Sequence, residues 1–145
     1  MENLPLVLIG SKYVDICTSN INKSALSVDI IMYDWRFYPG DESHVMNPIN
    51  AALIAAVKRG VQVRALVNSK MLRDNLVKVG IKARTLNSKK ILHAKAILID
   101  GKTAIVGSHN FTQGGMALNH EVSIVCDLQT TYNDLREYFQ NLYGL

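Results

Sequence analysis

The stretch that decides the fold runs from Ile91 to Asn110 and has the sequence ILHAKAILIDGKTAIVGSHN. Its few polar side chains lie among small and β-branched apolar residues, which favour strands. Alternation at the start of the stretch predicts a strand that places His93 and Lys95 on one face. The turn residues 100–102 and the apolar run 103–106 then predict a returning strand. The stretch therefore predicts a β-hairpin with an unusually polar face.

A two-residue turn at Gly101-Lys102 would place Asn110 opposite His93 and Ser108 opposite Lys95. Directly opposed residues of a hairpin have Cβ atoms within about 5 Å. This register predicts that an imidazole, an ammonium, a hydroxyl and a carboxamide converge on one patch, which can bind and attack a phosphate. The alternative is that they are ordinary solvated residues, and their shared face and consistent spacing argue against it.

The spacing of these residues resembles the complete signature of the phospholipase D superfamily, H-x-K-x4-D-x6-G-S-x-N, over residues 93–110. Phe111-Thr112 and Asn119-x-Glu121 also resemble the usual continuation in that family. The resemblance is sharp over residues 93–121 and looser upstream. It implies a phospholipase D-like half-unit and a phosphodiesterase activity.

The apolar periodicity of the whole chain predicts the element order β-α-β-α-β-α-β-β-β-α. This order predicts an α/β fold, with a mixed β-sheet flanked by helices on both faces. The 145 residues, 48% of them hydrophobic, are expected to form a single phospholipase D-like domain over residues 1–145. Cys17 and Cys126 have apolar surroundings and no metal-ligand spacing, which predicts buried free thiols.

Positive charge is concentrated around the motif. The net charge of the chain is only +4, yet twelve basic and two acidic residues lie between Lys58 and Lys102. A basic surface favours polyanions, and Lys89 and Lys90 are well placed to attract phosphates to His93. The alternative, given equal weight, is that these charges only keep helix surfaces soluble.

Residues 34–44 break all periodicity and contain Trp35 beside Arg36. An exposed aromatic ring next to an arginine can stack on nucleic-acid bases, so both residues are candidate nucleic-acid contacts. The alternative, slightly favoured, is a hydrophobic plug that closes a core edge or a subunit contact.

His93 is the candidate nucleophile, because a neutral imidazole attacks phosphorus and gives a phosphohistidine that water can hydrolyse. Lys95, Asn110 and Ser108 would hold the non-bridging oxygens and stabilise the transition state. A metal ion and a cofactor are therefore not expected. The histidines form no H-x-x-x-H pair, and no carboxylate lies between Asp74 and Asp100 to hold an ion.

Three further residues have predicted supporting roles. Glu121 is expected to accept a hydrogen bond from His93 and so fix its tautomer. Asp100 and Gly107 are expected to be structural, with Asp100 bracing the turn through backbone hydrogen bonds. His109 has the opposite facing to His93 and is not expected to be catalytic.

The motif occurs once, although one imidazole cannot serve as nucleophile and as general acid on opposite sides of one phosphorus. Proteins that resemble this chain solve the problem with two motif copies. The sequence therefore predicts a two-fold symmetric homodimer with both copies of His93 at the interface.

The leading hypothesis is a metal-independent phosphodiesterase, namely a low-specificity endonuclease of DNA or RNA, as most small single-motif members of the family are. The alternatives are a phospholipid headgroup hydrolase and a catalytically silent nucleic-acid-binding module. No apolar stretch reaches the length of a membrane span, so integral membrane association is not expected. A cytoplasmic location is expected, with export only if a signal peptide has been removed.

Overall fold

A computed structural model of the chain describes residues 4–144. In this part of the chain, seven strands form one sheet: β1 (Leu6–Ile9), β2 (Ser27–Ile31), β3 (Gln62–Val67), β4 (Lys82–Thr85), β5 (Ala96–Ile99), β6 (Thr103–Gly107) and β7 (Val122–Cys126). The α-helices are α1 (Lys12–Asn22), α2 (Asn47–Lys58), α3 (Lys70–Lys78) and α4 (Gln129–Tyr143), and a π-helical turn spans Gly114–Leu118. The predicted order of elements is confirmed up to β4, but four strands in succession, β4 to β7, precede α4 where the prediction had three. None of the described helices is long and apolar enough to cross a membrane.

The strand order is β1-β7-β6-β5-β2-β3-β4. β2, β3 and β4 run parallel to one another, and every other neighbouring pair is antiparallel. The carboxyl ends of β1, β2, β3 and β6 therefore lie at the same edge of the sheet as the amino ends of β5 and β7. We call this the upper edge.

Helices cover both faces of the sheet. α1, α2 and α3 bury one face through residues such as Tyr13, Leu53 and Leu76. α4 packs on the other face, where Tyr132 and Phe139 belong to a second apolar cluster. The predicted fold class is confirmed, and Cys17 and Cys126 are buried free thiols as predicted.

The hairpin of β5 and β6 has a different register from the predicted one. Ile99 pairs with Thr103 and Ala96 with Val106, so the loop contains the three residues 100–102. The backbone of Asp100 is left-handed, with φ of 55°, which takes this residue out of the strand. A shift of one residue changes the facing of every side chain along a strand. The predicted two-residue turn, and the pairs it implied, are therefore wrong.

Candidate functional site

His93 and Lys95 lie at the upper edge, immediately before β5. Lys95 Nζ is 3.0 Å from His93 Nδ1. The ring of Tyr33, which follows β2, lies 4.5 Å from the imidazole between centroids, and Lys95 Nζ lies 5.3 Å from the centre of the same ring. The period of two in extended chain puts both polar side chains on one side. The structure therefore forms a compact patch from an imidazole, an ammonium and a phenol ring.

The hydrogen bond between these two residues determines what the imidazole can do. A lysine ammonium has only donors, so His93 Nδ1 accepts and the proton of the neutral ring lies on Nε2. Neither ring nitrogen then has an available lone pair for attack. An anion that draws the ammonium of Lys95 away would release the Nδ1 lone pair.

Asn68, which follows β3, holds the backbone on both sides of this patch. Its Nδ2 donates to the carbonyl oxygens of Tyr33 at 3.0 Å and Leu92 at 2.9 Å. Its Oδ1 accepts from the Leu92 amide at 3.3 Å. Asn68 thus fixes the residue before His93 to the end of β2. The sequence interpretation missed Asn68, for which the available signal is its position directly after a buried strand.

Asn110 also lies at the upper edge, but it is not paired with His93 as predicted. Its Oδ1 accepts from the amide of Asp34 at 3.3 Å. The backbone of Phe111 bonds on both sides to residues 34–36. Gly115 allows this placement, because a Cβ atom there would lie 2.1 Å from the carbonyl oxygen of Asn110.

Ser108 joins two strands. Its Oγ accepts from the Val122 amide at 3.0 Å and donates to the Val122 carbonyl at 3.2 Å. The hydroxyl proton is therefore used within the chain, which corrects the predicted position of Ser108 beside Lys95. Position 107 requires glycine, because a Cβ atom there would lie 2.4 Å from the Cα atom of Ser123 on β7.

Glu121 stands immediately before β7 at the upper edge. Its Oε2 is buried and has no hydrogen-bond partner among the described residues. His93 Nδ1 bonds to Lys95 instead. The predicted hydrogen bond between Glu121 and His93 is therefore not formed within one chain, which leaves a buried carboxylate oxygen unpaired.

His109 is buried and structural. Its Nδ1 lies 2.7 Å from Ser123 Oγ and its Nε2 lies 3.0 Å from the Gly10 carbonyl oxygen. The imidazole stacks on the Tyr13 ring at 4.1 Å between centroids. Burial lowers the pKa of His109, and the Gly10 carbonyl and the charge of Glu121 offset part of this effect.

Asp100 lies at the opposite edge of the sheet from His93. Its carboxylate accepts backbone N–H groups of Ala25, Leu26 and Ser27 at 2.8–3.2 Å. Burial acts to raise the pKa of Asp100, but these hydrogen bonds and the charge of Arg59 outweigh it, so the pKa is lowered.

The candidate nucleic-acid contacts differ in accessibility. Lys89, Lys90 and Arg36 are exposed. Trp35 is only 4% exposed, its Nε1 donates to Asn50 Oδ1 at 2.9 Å, and its ring packs edge-on against Phe111. The prediction of an exposed ring at Trp35 is therefore wrong, because the ring belongs to the buried core.

The donor set of the site is rich in nitrogen and poor in carboxylate. Across residues 4–144, no group of three or more His, Cys, Asp or Glu side chains gathers so that it could hold a metal ion. Lys95 supplies positive charge to an anion bound at the upper edge. Lys89 and Lys90 lie shortly before His93 in the sequence, and Arg36 lies three residues after Tyr33.

Comparison with protein families gives a match over residues 17–143 to the family described as "Cardiolipin synthase, PLD-like domain". Among curated proteins, the chain is similar to cardiolipin synthase A of Yersinia pseudotuberculosis and Yersinia pestis. The identity is 29% over 109 residues, which cover 68% of this chain and 21% of the relative. The chain thus spans about a fifth of the length of these relatives.

Two similar solved structures are matched over nearly their whole length. One is a phospholipase D family member, Nuc from Salmonella typhimurium, with a TM-score of 0.80 and 24% identity over 97% of this chain and 95% of that chain. The other is NucT from Helicobacter pylori, with a TM-score of 0.77 and 19% identity over the same shares of each chain. These likenesses establish the fold.

Proposed function

The chain belongs to the phospholipase D superfamily, and we propose that it is a metal-independent endonuclease of low sequence specificity. The observation that carries the proposal is the contact of 3.0 Å between His93 and Lys95 at the upper edge of a phospholipase D-like sheet. A nucleophile and a fixed positive charge within one hydrogen bond of each other are the parts that phosphodiester cleavage requires.

The first step of the proposed reaction begins when a substrate phosphate attracts the ammonium of Lys95. The imidazole of His93 is then released and attacks phosphorus, forming a nitrogen–phosphorus bond while the bond to the leaving oxygen breaks. Lys95 and the carboxamide of Asn110 stabilise charge on the non-bridging oxygens. The leaving oxygen requires a proton, which His93 cannot supply because it is engaged with phosphorus.

We assign this proton to His93 of the partner subunit in a two-fold homodimer, where this second histidine reacts as the imidazolium and becomes a neutral imidazole when the leaving oxygen takes the proton. That second imidazole then accepts a proton from water as the water attacks the phosphohistidine and breaks the nitrogen–phosphorus bond. Glu121 supports the proposal, because its Oε2 is a possible acceptor for an imidazole N–H at the upper edge and has no hydrogen-bond partner among residues 4–144. One dimer thus forms one shared site.

An uncovered part of the sheet offers a surface for the second copy. Val7 and Ile9 of β1 pair with Ile124 and Val122 of β7, and all four side chains point to the face on which α4 lies. Val7, Ile9 and Val122 are exposed in the single chain. We call these four residues the β1–β7 face. It begins next to Glu121, and contiguous exposed apolar surface is typical of an interface.

Nucleic acid is the substrate that the charge distribution favours. The basic segment between Lys58 and Lys102 includes the exposed Lys89 and Lys90 just before His93. Phosphate contacts by such residues bind a polyanion without reading its sequence, which suits an enzyme of low specificity. The proposal is also compatible with the fold that this chain shares with Nuc and NucT.

We expect the purified protein to cleave plasmid DNA or RNA in excess EDTA as fast as in its absence, since Lys95 supplies the charge that a metal ion provides elsewhere. The measurement is the initial rate of cleavage with and without EDTA, beside a magnesium-dependent nuclease that EDTA must inhibit. Complete loss of cleavage in EDTA would refute the metal-free mechanism. Steeply salt-dependent binding without cleavage would favour the silent binding module.

A second candidate is phospholipid headgroup chemistry, favoured by the family description and by the name of the Yersinia relatives. Vesicles of phosphatidylcholine or phosphatidylglycerol distinguish the candidates. Release of choline or formation of cardiolipin that depends on His93, without cleavage of nucleic acid, would establish the lipid activity.

Asn68→Ala is expected to lower kcat by about 10- to 100-fold with a smaller change in KM, because a nucleophile displaced by about 1 Å loses rate more than binding. Asn68→Asp keeps the acceptor for the Leu92 amide but loses both donors, so an intermediate kcat is expected. Steady-state kinetics on one oligonucleotide checks this, with the exposed loop residue Asn87→Ala as the matched control. Equal loss in both alanine variants would contradict the positioning role.

A further inference from the structure

A cleft lies beside the His93–Lys95 pair and shares Tyr33 with it. The cleft has a volume of about 170 Å³ and lies between residues 33–38 and the start of α3. Tyr33 lines the cleft, and its ring also contacts His93. A group in the cleft is therefore separated from the proposed nucleophile by the width of one side chain.

The side chains of the cleft combine flat surfaces with amide groups. The ring of Tyr38 is 50% exposed, and the guanidinium of Arg36 is exposed beside it. Phenol rings and guanidinium planes are surfaces on which unstacked bases lie. Asn75 adds an amide group of the kind that hydrogen-bonds base edges. The composition of the cleft thus fits a nucleobase.

The size and charge of the cleft narrow the choice of ligand. Pockets for drug-sized molecules measure about 300–1,000 Å³, so this cleft has room for one ring system only. A base in a duplex is stacked on both sides, and only an unpaired base can enter such a cleft. Arg36 and Asp34 form an ion pair at 3.5 Å in the wall, so the cleft offers no net negative charge to a quaternary ammonium headgroup, which aromatic cages otherwise bind.

We propose that this cleft, which we call the Tyr33 cleft, holds an unpaired nucleobase of the nucleotide next to the scissile phosphate. The proposal rests on the proposed nuclease function and names its substrate class. Single-stranded nucleic acid gains the stacking contact, whereas duplex is bound through its phosphates alone.

The test compares two single-stranded oligonucleotides of one sequence, the second with a single tetrahydrofuran abasic nucleotide. Cleavage at each bond is measured on a sequencing gel in EDTA, and affinity is measured by fluorescence anisotropy. The variants are Tyr38→Ala and Tyr38→Phe, with Tyr138→Ala as the matched control, since Tyr138 is a similarly exposed tyrosine (46%) on α4. Thermal unfolding establishes that each variant is folded.

We expect wild type to cleave about tenfold more slowly at the bond beside the abasic nucleotide than at the same bond of the intact strand. Tyr38→Ala should raise KM and Kd for the intact strand by a similar factor and show no further loss at the abasic position. Tyr38→Phe and Tyr138→Ala should behave as wild type. Uniform cleavage and equal affinity for both strands would overturn the cleft proposal, as would saturable competition by choline.

Failure of the proposed function gives a different result. If the chain is not a nuclease, no bond is cleaved in a His93-dependent manner. If only the cleft proposal is wrong, His93-dependent cleavage remains, with equal rates at the bond beside the abasic nucleotide and at the same bond of the intact strand. The anisotropy measurement still tests the cleft in the first case, because the difference in affinity between intact and abasic strands does not require catalysis.

Discussion

Replacing His93 by alanine is expected to reduce cleavage by roughly 10³-fold or more, because the variant loses the atom that forms the bond to phosphorus. His93 is exposed, so its removal leaves no cavity and the variant should unfold at the temperature of wild type within a few degrees. The measurement is kcat/KM on a labelled oligonucleotide in EDTA. Wild type quenched during turnover should carry one fragment of the labelled strand, joined to the protein through an acid-labile nitrogen–phosphorus bond, and the variant should carry none.

His44→Asn serves as the matched control for this experiment. His44 also lies in a loop, and its Nδ1 accepts from the Met46 amide at 3.1 Å, which an asparagine side chain can replace. Its rate should stay within about threefold of wild type. Substantial cleavage by His93→Ala, or a labelled fragment on that variant, would show that another group is the nucleophile.

Placing a charge on the β1–β7 face is expected to separate the dimer and abolish most activity. Val122 is 54% exposed in the single chain, and Val122→Asp would bury an unpaired carboxylate in the proposed interface. At a protein concentration where wild type is dimeric, the rate should fall by about 100-fold or more, since each monomer contains half a site. Light scattering and initial rates over a range of protein concentrations check this.

Val77→Asp is the control, because Val77 is 53% exposed, close to the 54% of Val122, and lies near the end of α3, away from the β1–β7 face. It should remain dimeric and active.

Mixing wild type with an inactive variant tests the dimer without a surface mutation. An equilibrated equal mixture of wild type and His93→Ala should retain about a quarter of wild-type activity if one site needs both imidazoles, and about half if each subunit acts alone. A monomeric, fully active wild type would end the dimer proposal.

Most of the order of the elements, apart from one of the four strands before α4, was predictable from sequence because hydrophobic periodicity is a local property. Each helix and strand has to bury one face, and that requirement is visible in segments such as 47–58 and 62–67. The hairpin register was not predictable in the same way. It depends on the contact of Asp100 with backbone amides about 75 positions away in the chain, which stabilises a three-residue loop.

The site shows the same division between local and distant causes. The adjacency of His93 and Lys95 follows from their spacing in extended chain. The roles of Asn68 and Tyr33 follow from strand order, which brings residues 24 and 60 positions from Leu92 and His93 to one edge. The exposure of Trp35 could not be predicted because, in an aperiodic segment, it depends on which residues pack over the ring. In the structure these residues are Phe111 and Asn50.

The position of Asp100 changes how loss of function in this motif should be interpreted. The signature appears as one unit in the sequence, yet β5 separates its histidine from its aspartate, and the two residues lie at opposite edges of the sheet. A genetic screen would recover inactive variants at both positions. A substitution at His93 removes the nucleophile, so the loss of activity persists at every temperature. A substitution at Asp100 lowers the stability of the fold. The resulting loss of activity should therefore respond to low temperature, to chaperones and to stabilising changes elsewhere in the chain.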